Sequence, residues 1–342
     1  MRVTRESLIR IARETAQERA FNDPSLIAAY LTGSLTTEGD PMLGGAADID
    51  LALVHAGPAP ISREIVKLTP DFHVDIHHRT RSDFKSTREL RSDPLLGYEM
   101  YDPLLLWQRE KFFEFVQAGL RAGSEFHSPG AVLARCRKLL AEARRGWIDL
   151  SDISAANAGP LHVTQLLRAV QHAADAVAEL TGPPLAERRF LLEFPARAAA
   201  AERPEFTETV FAMIGAAQVD PPALTGWLPA WAADFLAAAQ APRADLSIHA
   251  ARLNYYEKGM RSLLEGGTPV TALWPLIHTW TLASQALSPQ PSAAWEAACR
   301  QLGLLGDGFE QRISDLDHFL DQVEVRLDEV AVASGIENSG NL

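Results

Sequence analysis

Two apolar runs near the N terminus are each joined to a short polar motif, and this pairing constrains the fold more than any other feature. The first run ends in Leu31-Thr32-Gly33-Ser34, and thirteen residues after Ser34 the second run begins with Ala47-Asp48-Ile49-Asp50. Because side chains alternate along a β-strand, Asp48 and Asp50 point to one face and the apolar residues around them point to the core. The pattern predicts a strand that presents two carboxylates where it begins.

A third carboxylate lies in the next alternating segment, Phe72 to His77. The alternation of apolar and polar residues predicts a half-buried strand with Asp75 on its polar face. If this strand pairs with the first acidic strand, the backbones lie about 4.8 Å apart and Asp75 joins Asp48 and Asp50. Converging carboxylates are typical ligands of a Mg2+ ion that bridges phosphate oxygens. We therefore predict a metal site formed by these three residues, with Asp75 alternatively acting as the general base.

These motifs together resemble the signature of the nucleotidyltransferase superfamily typified by DNA polymerase beta, and within it the aminoglycoside and streptomycin adenylyltransferases. The matching positions are Gly33, Ser34, Asp48, Asp50 and Asp75. The resemblance covers roughly the first third of the chain. It implies that Gly33 and Ser34 bind the nucleotide, that ATP is the co-substrate and that two Mg2+ ions take part. The implied reaction transfers AMP to a hydroxyl group and releases pyrophosphate.

In two places the chain departs from that family pattern. Many members carry Arg or Lys shortly after the Ser, and Ser or Thr before the first Asp, whereas this chain has Leu35 and Ala47 there. Streptomycin-type adenylyltransferases look similar in lacking the basic residue, which favours a small-molecule acceptor. Related enzymes draw a Lys or Arg from the helical domain onto the triphosphate. By that resemblance we expect Lys258 to bind the nucleotide, with Arg252 as the second candidate.

Charge and composition narrow the range of partners. The 342 residues include 32 basic and 44 acidic side chains, which give a formal net charge of -12 at pH 7. This charge opposes binding to nucleic acids and favours a cationic acceptor such as an amino sugar. No apolar segment is long enough to span a bilayer, and the first residues lack a signal-peptide core, so we expect a cytoplasmic protein with no membrane partner. Cys136 and Cys299 are predicted to be buried free thiols.

The length exceeds the size at which one hydrophobic core stops growing, so two domains are expected. Apolar spacing predicts a helix over residues 5–20, and the Gly33-Ser34 turn is expected to open a second helix whose N-terminus favours phosphate. Tyr98 to Pro103 is predicted to be the last strand and to carry Glu99 as a second candidate for the general base. The predicted architecture is an α+β domain with a small mixed sheet and flanking helices (1–122), an all-α helical bundle (131–333) and a disordered tail (334–342).

Three other interpretations stay open at this point. His73, Asp75 and His77 share one strand face and are alternative ligands for zinc, although no fourth ligand is evident. Arg312 and His318 are similar in spacing to the Arg and His of helical ribonuclease domains, which accompany small nucleotidyltransferases in toxin–antitoxin systems. The chain is alternatively a nucleotidyltransferase of that type, which acts on protein or tRNA. The chain is alternatively a nucleotide sensor or partner-binding protein that has lost turnover.

Overall fold

The computed structural model describes residues 3–37, 39–84, 86–242 and 244–336. The chain divides into two units, Met1–His127 and Ser128–Leu342. The domain limits expected from the sequence remain a prediction. The expected disordered tail begins directly after the last helix, and its residues from 337 onward lie outside the described residues.

The first unit is built on a five-stranded mixed sheet, which confirms the α+β class. Its strands are β1 (Leu26–Thr32), β2 (Ala47–His55), β3 (Arg63–Lys67), β4 (Phe72–Thr80) and β5 (Leu104–Gln108). They lie in the order β3-β4-β2-β1-β5. The central pair, β2 and β4, runs parallel, and all other neighbours are antiparallel. The strands expected around the two acidic motifs are therefore direct neighbours.

Helices cover the two faces of this sheet unequally. They are α1 (Arg5–Asn22), α2 (Thr87–Arg91), α3 (Leu96–Tyr101) and α4 (Phe112–Arg121). The apolar stripe of α1 packs on one face, where the alternate residues of β2 and β4 are apolar. On the other face, an apolar cluster that includes residues of α4 reaches Ala52 and Val54 of β2. Asp48 and Asp50 precede these two residues on that face, so the acidic motif lies at one end of the covered area.

Two local expectations were wrong. Tyr98 to Pro103 is not a strand, because Leu96–Tyr101 forms α3 and the last strand is the apolar run directly after Pro103. The side chain of Asp93 accepts hydrogen bonds from the backbone N–H groups of Leu95 and Leu96, which starts this helix. The Gly33-Ser34 turn does not open a long helix either, since it forms a single 3-10 turn that ends at Leu35.

In the described residues of the second unit, every regular element is a helix. The longest are α5 (Pro129–Ser151), α6 (Pro160–Ala178), α9 (Pro221–Ala238) and α13 (Phe309–Ala333), and the others are α7 (Phe190–Ala200), α8 (Phe206–Met213), α10 (Leu253–Glu265), α11 (Leu273–Ala286) and α12 (Ala293–Gln301). Both cysteines are free and buried, as predicted. Across the described part of the chain, no helix combines the length and apolarity that crossing a bilayer requires.

Candidate functional site

The beginning of β2 carries the predicted acidic pair. Ile49 and Leu51 are fully buried in the core beneath α1, so the alternation of the strand turns Asp48 and Asp50 to the opposite face. Asp48 is only 6% exposed, and Asp50 is partly exposed. Two carboxylates therefore lie on one face of the central strand, as the sequence predicted.

The turn after β1 lies directly against Asp50. Thr32 is the register partner of Asp50, so Gly33 follows immediately where the two strands meet. Gly33 has a φ of 71°, in the left-handed region, and a Cβ added there would lie 1.9 Å from Oδ2 of Asp50. Only glycine satisfies both conditions, since a side chain would be strained and would also collide with the carboxylate. The Gly-Ser turn and the acidic pair thus form one local structure.

Side chains donate hydrogen bonds to the backbone carbonyl oxygens of this turn. Arg5 of α1 donates to the carbonyl oxygens of Leu35 at 2.9 Å and of Ser34 at 3.4 Å. The hydroxyl of Thr36 donates to the carbonyl of Gly33 at 2.9 Å. In contrast, the hydroxyl oxygen of Ser34 is buried and has no hydrogen-bond partner among the described residues. Because a buried hydroxyl without a partner is costly, Ser34 is suited to donate to an incoming ligand.

Asp75 lies next to the acidic pair but is held by an arginine. It is the register partner of Asp50 across β2 and β4, and its side chain is 2% exposed. Arg63 of β3 binds it in a bidentate pair, with Nε 2.7 Å from Oδ1 and Nη2 2.5 Å from Oδ2. His77 Nε2 lies 3.5 Å from the same Oδ1. Burial lowers the pKa of His77, although the Asp75 carboxylate acts in the opposite direction.

The predicted metal ligands do not form a preassembled cluster. His73 is fully buried and is the register partner of Asp48. Within the ranges that the structure describes, no group of three His, Cys, Asp or Glu side chains is arranged to hold a metal ion. This applies to the three carboxylates and to the alternative zinc set alike. The acidic pair on β2, Asp48 and Asp50, still offers oxygen ligands on one face.

Glu99 is placed differently from the expectation. It lies on α3 rather than on a strand, and it forms a bidentate pair with Arg79 of β4, whose Nη2 is 2.5 Å from Oε2. It also accepts a hydrogen bond of 2.7 Å from the hydroxyl of Tyr30. Burial and the Glu99 charge raise the pKa of Tyr30 well above its ordinary value. These contacts indicate that Glu99 joins α3 to the sheet.

The two basic candidates of the second unit have different surroundings. Arg252 precedes α10, is 4% exposed and lies about equally far from the rings of Tyr255 and Tyr256, at 5.3 and 5.2 Å. Lys258 lies on α10 and is partly exposed. Their predicted contact with the nucleotide stays a prediction. Arg312 donates to a carbonyl at the end of α12, which gives it a structural contact.

Comparisons with known proteins identify no family for this chain. No family model matches the chain, and no curated protein matches it. Among solved structures, the chain is similar to a nucleotidyltransferase-like protein from Exiguobacterium sibiricum, with 11% identity over 98% of this chain and 96% of that chain. The TM-score is 0.30, so the two backbones superpose poorly.

The structure therefore brings together Gly33, Ser34, Asp48, Asp50 and Asp75 in the first unit, whereas Glu99 serves another contact. Sequence reasoning missed Arg63, because the short strand that carries it was not predicted. The five residues Arg63–Lys67 alternate less regularly than those of β4 and end in an exposed lysine. The signal for this residue in the sequence was a basic side chain at the start of a short segment with apolar residues. The structure places that segment two strands from the strand that carries Asp50.

Proposed function

We propose that this chain is a Mg2+-dependent nucleotidyltransferase. It would transfer a nucleotidyl group, AMP from ATP, to a hydroxyl of a small cationic acceptor and release pyrophosphate. The observation that carries the proposal is the contact between Gly33 and Asp50, which joins a Gly-Ser turn to an Asp-x-Asp strand. This arrangement suits a ligand that has both phosphate groups and a divalent cation.

Asp48 and Asp50 are the residues that would hold the metal ion. Mg2+ is commonly bound by one or two protein carboxylates together with substrate phosphates, so two carboxylates on one strand face fit this ion. The bound ion would neutralise charge on the triphosphate and on the departing pyrophosphate. Asp75 and Glu99 each form a bidentate pair with an arginine, but Asp75 is the register partner of Asp50, so it is the better placed of the two for a role at the site.

The nucleotide and the acceptor are assigned from different features. Ser34 would donate its buried hydroxyl to a phosphate oxygen, and Gly33, which lacks a Cβ, would let the nucleotide-binding turn lie directly against the Asp50 carboxylate. The acceptor class rests on the net charge of -12 and on the family resemblance. A cationic sugar is attracted by such a protein, whereas a polyanionic nucleic acid is repelled.

Pyrophosphate release with ATP, Mg2+ and a panel of amino sugars and neutral polyols tests this function. The parent should release pyrophosphate only with an acceptor. Asp50→Asn should lower the rate at least about a hundredfold, because charge stabilisation by the metal ion is worth several kcal/mol. Asp102→Asn is the control, since this carboxylate is exposed and pairs with Arg121 on the surface. Tight ATP binding without release by the parent would instead indicate a nucleotide sensor.

A further inference from the structure

The sequence motifs of the proposed site include no basic residue that could bind a triphosphate. A triphosphate beside Asp48 and Asp50 adds negative charge where carboxylates already lie. Proteins that bind phosphate groups usually place Arg or Lys against them, and Arg offers a planar set of N–H donors that matches phosphate oxygens. The position that many relatives use, shortly after Ser34, holds no basic residue.

Arg63 supplies a guanidinium on the same face as the acidic pair. It is the register partner of His77, which lies two residues beyond Asp75 on β4. Its side chain reaches back to Asp75, and Asp75 lies directly beside Asp50. The side chain of Asp75 is 2% exposed, whereas that of Arg63 keeps 24% of its surface exposed. The carboxylate is thus buried behind the guanidinium, which borders solvent.

We infer that Arg63 binds the triphosphate and that Asp75 positions it, an inference that rests on the proposed function. A bidentate carboxylate fixes the plane of the guanidinium before the ligand arrives, which reduces the entropy lost on binding. Both oxygens of Asp75 are used in this pair, so Asp75 acts as the positioning residue of a phosphate-binding arginine. Its predicted roles as metal ligand or base would require breaking that pair.

Arg79, on the same face of the sheet, provides a matched control for Arg63. Arg79 lies on β4 four residues beyond Asp75 and forms a bidentate pair with Glu99. Its side chain is 29% exposed, close to the value for Arg63. At roughly 3.3 Å per residue, Arg79 lies about 13 Å further along the strand. Arg79→Met therefore breaks an equivalent pair without removing the proposed phosphate contact.

Calorimetric titration of the full chain with ATP and with AMP, each with Mg2+, tests the inference. Arg63→Met should weaken ATP binding roughly 10- to 100-fold, because a hydrogen bond to a charged group is lost. AMP binding should change much less, since AMP lacks the outer phosphates. Arg63→Lys keeps the charge and should fall between parent and Arg63→Met. Arg79→Met should bind both nucleotides as the parent does, and circular dichroism would show that each variant is folded.

Different failures point to different errors. If the parent binds ATP and Arg63→Met binds it equally well, the inference is overturned and the proposed function stands. Equal losses in Arg63→Met and Arg79→Met would show a general effect on the sheet and would also overturn it. If the parent does not bind ATP with Mg2+, the proposed function fails and this inference fails with it.

Discussion

Two histidines beneath α1 form a buried relay of hydrogen bonds. Nε2 of His78 lies 3.1 Å from the Glu64 carboxylate, which can only accept, so this nitrogen carries the proton. Nδ1 of His78 lies 2.9 Å from Nε2 of His55, so one of these two nitrogens donates to the other. Nδ1 of His55 in turn shares a hydrogen bond of 2.9 Å with the Ser25 hydroxyl. The two facing ring nitrogens share one proton, so this arrangement accommodates at most one positive charge on the two imidazoles, and a second would place two N–H groups face to face.

The charged groups around the relay are Asp23 beside His55 and Glu64 beside His78, with Arg19 of α1 paired to Glu64. Burial, and next the neighbouring His78, lower the pKa of His55, while Asp23 acts in the opposite direction. A pKa that is lower in the folded protein means that the unfolded chain binds more protons. The stability from this group is therefore present above about pH 6.5 and is lost as the pH falls.

We predict that the protection of β2 and β4 amides against hydrogen exchange decreases from pH 7.5 to pH 5, after correction for intrinsic rates. For one extra proton the slope is at most about 1.4 kcal/mol per pH unit. His55→Asn should be less stable at pH 7.5 and should show a flatter pH dependence. His127→Asn is the control in the same unit, since His127 is exposed. If stability depends on pH with the same slope in the parent and in His55→Asn, the hydrogen-bonded histidines are not the cause of that dependence.

At the scale of elements, period-two alternation made the central strands predictable. In β2 and β4 it separates acidic from apolar residues, because one face is polar at the site and the other packs beneath α1. The same principle failed for β3, which is short and lies at the edge of the sheet. It also failed for Tyr98 to Tyr101, where the capping by Asp93 and tertiary packing favour a helix over the local β-propensity of tyrosine.

Gly97 shows how packing overrides the usual helix preference. It lies in α3, where Ala would ordinarily stabilise a helix by up to about 1 kcal/mol over Gly. However, a Cβ at this position would lie 2.5 Å from the carbonyl oxygen of Leu90 in α2. We predict that Gly97→Ala destabilises the protein by roughly 1–3 kcal/mol, because backbone must move to make room.

Thermal unfolding followed by circular dichroism would measure this effect. The matched variant is Gly226→Ala in the exposed part of α9, where an added Cβ meets nothing within 4 Å. That variant should be more stable than the parent, by up to about 1 kcal/mol. The opposite signs of the two substitutions are the test, and a stabilising Gly97→Ala would show that α2 and α3 are not packed as described.

At the scale of the whole molecule, the sequence determines the site more clearly than the helical unit. Gly33, Asp48 and Asp50 were predictable because their backbone and chemical requirements are local. The helical unit was predicted only as a set of helices, since its core is defined by tertiary packing of large side chains. Trp231, for example, is fully buried and donates to the Thr279 hydroxyl at 2.9 Å, a contact between residues far apart in the sequence. Periodicity contains no information on such pairs.

The division into two units gives a prediction for the intact chain. Between α4 and α5, Gly123 and Ser124 have positive φ values of 62° and 59°, and residues 121–125 are exposed. Exposed, non-helical backbone at a boundary is where proteases cut first. We predict that mild treatment with subtilisin cleaves within residues 121–130 and yields two resistant fragments. Circular dichroism should show mixed α/β structure in the N-terminal fragment and helix alone in the C-terminal one. A first cut within residues 45–80 would contradict this prediction, because that segment contains the central strands of the sheet.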